Sequence, residues 1–83
     1  MKNAPKKSTK RYEKLEYLRK IYGYSQEDFA TLIGTSKSNY SHKVNKNVPF
    51  KFEEEVLIIW EVLNKKAIQC GDKALTINDI FMP

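Results

Sequence analysis

The chain is short of the residues that build metal and disulfide sites. Of its 83 residues one is cysteine and one is histidine, and Cys70 stands far from His42. A lone cysteine excludes an intrachain disulfide. A zinc site needs about four N, O or S ligands at motif spacing. Long apolar runs are missing as well: the longest, Val56–Trp60, has five residues, against roughly 20 for a membrane-spanning helix. The N-terminal stretch Met1–Lys14 is basic but lacks the apolar segment of a secretory signal. A cytoplasmic location is therefore expected, and a free thiol fits a reducing compartment. No GxxxxGK[ST], GxSxG, HExxH or GxGxxG occurs. His42 has no carboxylate nearby in sequence, and Ser41 and His42, being adjacent, diverge on a helix. No enzymatic activity, metal, cofactor or small-molecule ligand is expected.

What the chain does have is charge, unevenly placed. The net charge is +5. Residues 1–51 carry 12 Lys/Arg against 4 Asp/Glu, whereas residues 52–83 carry 3 against 6. A basic half followed by an acidic half points to an anionic partner for the first and a different task for the second. The length allows one domain. Residues 1–7, with Lys2, Lys6, Lys7 and Pro5, read as a basic flexible arm. Residues 8–83 read as the folded unit.

The apolar spacing predicts an all-α fold. Tyr12, Leu15, Leu18, Ile21 and Tyr22 recur at helical steps, predicting a helix from Ser8 or Thr9 to Tyr22 that stops at Gly23. Ser25 with Asp28 is a capping-box variant opening a second helix, with Phe29, Ala30 and Ile33 inward and Gly34 as its end. Ser36 caps a third, over Lys37–Asn45, on which only Tyr40 and Val44 face inward. After Pro49 a fourth helix begins near Lys51 or Phe52. Glu53–Glu55 form its charged first turn, Phe52, Val56, Ile59, Trp60 and Leu63 its apolar face, and Lys65 and Lys66 lie near its end. Residues 67–75 read as a loop or a short hairpin. Thr76 with Asp79 starts a last turn carrying Ile77, Ile80 and Phe81. Tyr12, Tyr22 and Tyr40 fall at core spacing, whereas Tyr17 and Tyr24 are undetermined. The structure of the C-terminal extension, about 65–83, is left open.

Helices two and three are the informative pair. Two short helices share a tight Gly-containing turn, and the second is too polar to serve the core alone. That is a helix-turn-helix layout, in which the second helix enters the DNA major groove. Lys37, Ser38, Asn39, Ser41 and His42 would present donors and acceptors to base edges, with Tyr40 and Val44 as anchors.

The set Leu18-Arg19, Gly23, Ser25-Gln26-Glu27-Asp28-Phe29-Ala30, Gly34-Thr35-Ser36 and Tyr40-Ser41 resembles the Cro/CI-type (Xre-type) helix-turn-helix repressors of bacteria and their phages. The likeness covers about residues 12–64. It implies a lambda-repressor-like bundle of four to five helices. By the same resemblance Gln26 contacts a phosphate while braced against the start of the third helix, with Ser25 beside it. Lys37, Ser38 and His42 read bases, and Asn45 meets a phosphate. Arg19, Lys43, Lys46 and the arm lysines Lys2, Lys6 and Lys7 complete the expected phosphate contacts.

Three positions depart from the family pattern. Val44 stands where many members carry a Glu that pairs with the Arg matching Arg19. That leaves Arg19 to reach a phosphate or the Glu53–Glu55 cluster. Lys46 replaces a Gly, so the turn needs Asn45 or Asn47 at positive φ. An apparent insertion separates Asn64 from Thr76. The expectation is a sequence-specific double-stranded DNA-binding regulator, a phage-type repressor or Cro-like protein acting by operator occupancy. It would be a homodimer at least on DNA, with Trp60, Ile77, Ile80 and Phe81 as interface candidates. Trp60 and Phe81 serve equally well as core. Two other readings stand beside it: an antitoxin-like or adaptor module that binds protein, and an RNA or single-strand binder.

Overall fold

The computed structural model describes residues 12–82. Among them the chain is all-helical: α1 (Glu13–Ile21), α2 (Gln26–Leu32), α3 (Lys37–Asn45), a π-helical turn (Phe52–Val56) leading into α4 (Leu57–Gln69), and α5 (Ile77–Phe81). No strand occurs among the described residues, so the hairpin alternative for 67–75 is set aside. No described helix is long and apolar enough to cross a membrane.

The caps explain most boundaries. The Ser25 hydroxyl accepts from the Asp28 backbone N–H while the Asp28 carboxylate accepts from the Ser25 N–H, a complete capping box. Thr76 and Asp79 repeat it at α5. Ser36 caps α3 through the Asn39 N–H. Gly34, at φ +75°, takes the left-handed conformation that turns the chain from α2 towards α3. Asn47, at φ 57°, makes the turn after α3, as expected where Lys46 replaces a glycine.

The structure departs from expectation at three places. Helix α1 starts at Glu13 with Tyr12 as its N-cap; Ser8 and Thr9, where the start was expected, lie outside the described residues. Helix α4 runs on to Gln69, past Lys65 and Lys66, because Ala67 continues the buried row Ile59, Leu63 at four-residue steps. Phe52 is 57% exposed and leaves the apolar face of α4. The cause is the π turn. The Val56 N–H bonds to the Lys51 carbonyl and the Leu57 N–H to the Phe52 carbonyl, each five residues back. One residue more per turn swings Phe52 away from the row that Val56 begins.

The core joins Leu15, Phe29, Tyr40, Ile59, Leu63 and Ile80, all fully buried. Helix α2 packs most extensively on α3, α1 on α5, and α4 on both α2 and α5. A chain of rings threads these layers. Tyr24 meets Phe29 at 5.3 Å between centroids, Phe29 meets Tyr40 at 6.2 Å, and Tyr40 meets Phe50 at 5.8 Å. Phe50 then contacts both Tyr12 and Phe81. Three of these five contacts are edge-on, an arrangement the ring quadrupole favours. Tyr12 and Tyr40 are thus core residues, Tyr22 and Tyr24 are half-buried, and Tyr17 is exposed.

The segment after α4 is clasped rather than free. The Trp60 indole N–H donates to the Leu75 carbonyl at 2.7 Å, and the Leu75 N–H donates to the Asn64 side-chain oxygen at 2.8 Å. The Tyr22 hydroxyl donates to Asp72 at 2.7 Å, which pushes its pKa up to about 12.

Candidate functional site

The outer surface of α3 carries a shallow open trough of about 460 Å³ lined by Lys37, Ser38, Ser41, His42, Asn45 and Lys46. These positions step by one, three, one, three and one, which puts them on one face of a helix. At 1.5 Å rise per residue the stripe is roughly 14 Å long. Tyr40 and Val44, on the opposite face, are buried and hold the helix against the core. Lys37, Ser38, His42 and Lys46 have no side-chain partner among the described residues. Within the stripe the Asn45 amide donates to the Ser41 hydroxyl at 3.2 Å. That leaves the Ser41 proton and the Asn45 carbonyl oxygen for an outside partner. Helix α3 has no carboxylate at all. The face therefore offers cations and hydrogen-bond donors to an acceptor-rich, anionic surface.

Asn39 was expected on this face but lies off it. Its amide donates to the Thr35 hydroxyl at 2.6 Å, back across the turn before α3.

A second hollow, about 470 Å³, adjoins the first. Tyr12, Glu16, Tyr17, Lys20, Gln26 and Asn45 are among the residues that line it. Asn45 borders both, so Gln26 sits beside the α3 stripe. Tyr17 and Lys20, exposed on α1, carry no sequence signal that marks them for this place. Their position beside Gln26 depends on how α1 crosses α2 and α3, which no local pattern encodes.

Behind Gln26 lies a polar cluster that sequence reasoning misses. Glu16, on α1, accepts four hydrogen bonds. Arg19 donates from Nε at 3.1 Å and from Nη2 at 2.9 Å. Gln26 Nε2 donates at 2.8 Å and the Tyr40 hydroxyl at 2.9 Å. Burial pushes the Glu16 carboxyl up, but the bonds from Arg19, Gln26 and Tyr40 outweigh it and hold it below its ordinary value. Its partners move the other way. The bond to Glu16 raises Arg19, while burial, with the Glu16 charge and hydrogen bond, raises Tyr40.

This cluster corrects two expectations. Arg19 is only 6% exposed, and its remaining nitrogen donates to the Tyr24 carbonyl. It does not reach Glu53–Glu55, because Glu16, three residues back on α1, engages it. Gln26 is braced by Glu16 rather than by the start of α3.

Lys43 is likewise engaged within the fold. Its Nζ lies 3.0 Å from Glu55 and 5.3 Å from the centre of the Phe50 ring. Glu55 is buried and also accepts from the Lys51 N–H at 2.7 Å, so it caps the π turn and pairs with Lys43 at once. Only Glu53 and Glu54 remain a solvated first turn. The Ser25 amide and one hydroxyl lone pair are used by the capping box. Lys2, Lys6 and Lys7 lie outside the described residues.

Of the interface candidates, Ile80 is fully buried and belongs to the core. It faces inward between α1 and α4, the two helices that α5 packs against. Trp60, Ile77 and Phe81 are half-buried. Among the described residues no group of His, Cys, Asp or Glu is arranged to hold a metal ion. Comparisons with protein-family models, curated proteins and solved structures find no match to this chain.

Proposed function

We propose that α2 and α3 form a helix-turn-helix and that the chain is a non-enzymatic regulator binding double-stranded DNA sequence-specifically. It resembles a phage-type or Cro-like repressor, acting by operator occupancy. The observation that carries the reading is the α3 stripe. Five of its residues are well exposed, two are lysines, its side chains are largely unengaged, and no carboxylate opposes them. A major groove is lined by acceptors and flanked by phosphates, and it admits one helix. Lys37, Ser38, Ser41 and His42 are the base-reading set, with Asn45, Lys46 and Gln26 at the phosphates. One helix reads few base pairs, so the working form is a homodimer on half-sites about 34 Å apart. The remaining exposed parts of Trp60, Ile77 and Phe81 are its contact candidates.

The test is binding to a duplex selected from random sequence, a scrambled duplex and a single strand across a salt series. Preference for the selected duplex, with affinity falling linearly in log salt, supports the reading. Equal affinity for all three overturns it, and preference for the single strand favours the stacking-type alternative instead.

A further inference from the structure

We infer that Glu16 is the positioning residue of this interface: it fixes the Gln26 amide and couples it to α3 through Tyr40. The inference rests on the DNA-binding reading above and goes beyond it by assigning a role to a residue that touches no DNA.

The grounds are chemical. An ionised carboxylate only accepts. The Gln26 group facing Glu16 Oε1 at 2.8 Å must therefore be its NH2, which settles the amide's orientation. One Nε2 proton is spent on Glu16. The other proton and the carbonyl oxygen are left towards the hollow shared with Asn45. A phosphate accepts only, so the second proton is what Gln26 can give it. Without Glu16 the amide is free to flip and to rotate, and the donor is presented only part of the time.

Glu16 also accepts from Tyr40, whose ring is fully buried on the inner side of α3. Arg19 donates two bonds to the same carboxylate and a third to Tyr24, the residue that leads into the α2 cap. One carboxylate thus ties α1 to the first residue of α2 and to the middle of α3. The donor for the phosphate and the base-reading stripe are set in one frame.

The experiment is a double-mutant cycle on duplex affinity. Gln26→Ala weakens binding to the selected duplex about tenfold, the loss of a charge-assisted hydrogen bond. In a Glu16→Leu background, where no acceptor is left to hold Gln26, the same substitution costs less than about twofold further. Melting temperatures of the four proteins show that the cycle compares folded chains. A second measurement needs no variant. In the wild-type chain one Gln26 side-chain proton exchanges slowly with solvent and stays in place when duplex is added, while the other shifts. Equal, fast exchange of both protons overturns the inference. So do losses from Gln26→Ala that are the same in both backgrounds while duplex preference is intact, and the DNA-binding reading then survives. Absence of any duplex preference in the wild-type chain overturns both.

Discussion

Arg19 and Lys43 differ from Lys37 and Lys46 in one respect that outweighs their shared charge. Arg19 and Lys43 each meet a carboxylate of the same chain and keep only 8% and 14% of their side-chain surface exposed. Lys37 and Lys46 meet none and stand in the open. Lys43 and Lys46 are three residues apart on one helical turn, yet Lys43 braces the π turn before α4 and Lys46 lines the outer trough. Net charge therefore overstates the surface available to an anion. A cation already met by a carboxylate of the same chain is part of the fold, and only an unmet one is free to recruit a partner.

The comparison breaks or sharpens under substitution. The largest effect is expected for Arg19→Ala, which leaves the Glu16 charge with fewer donors. Denaturant unfolding should show a loss of about 2–4 kcal/mol, between the values for exposed and fully buried pairs. Lys37→Ala should do the opposite. Stability stays within about 0.5 kcal/mol, while discrimination between selected and scrambled duplex falls by about 1–3 kcal/mol. If Lys37→Ala unfolds the chain as Arg19→Ala does, the distinction between met and unmet cations fails. Ser25→Ala removes one cap and should cost about 1 kcal/mol of stability, read by the same unfolding curves. Lys46→Ala should weaken binding evenly across sequences and lower the salt slope by roughly one.

The smallest effect is acid sensitivity. Glu16 is held below its ordinary value near 4.5, so the unfolded chain binds more protons in the window beneath it. Stability is fully present above that value and is lost as pH falls through the lowered one. Asp79, held down by the Thr76 backbone bond, adds in the same direction. Melting temperature against pH should fall in this range, and Glu16→Gln should flatten part of the fall.

The helices with local stop and start signals were legible. Ser25–Asp28, Ser36, Thr76–Asp79 and Gly34 each act within four residues, and the extents of α3 and α5 reflect them. The end of α4 was not, because Ala67 is a weak hydrophobic signal and its burial comes from neighbours distant in sequence. The stripe of α3 was readable from periodicity, apart from Asn39, whose side chain is captured by Thr35. The Glu16 cluster was not readable. Its members stand at positions 16, 19, 26 and 40, and only the crossing of α1 with α2 and α3 brings them to one point. The partner of Lys43 escaped for the same reason, being twelve residues away behind a proline loop.

The π turn at Phe52–Val56 has an evolutionary consequence. Such a turn is what a helix becomes when it absorbs one extra residue without shifting its later turns. The chain can thus change length by one there while the buried row from Val56 to Ala67 keeps its place. Glu53 and Glu54, both exposed, are the residues whose removal would let the helix close into ordinary turns.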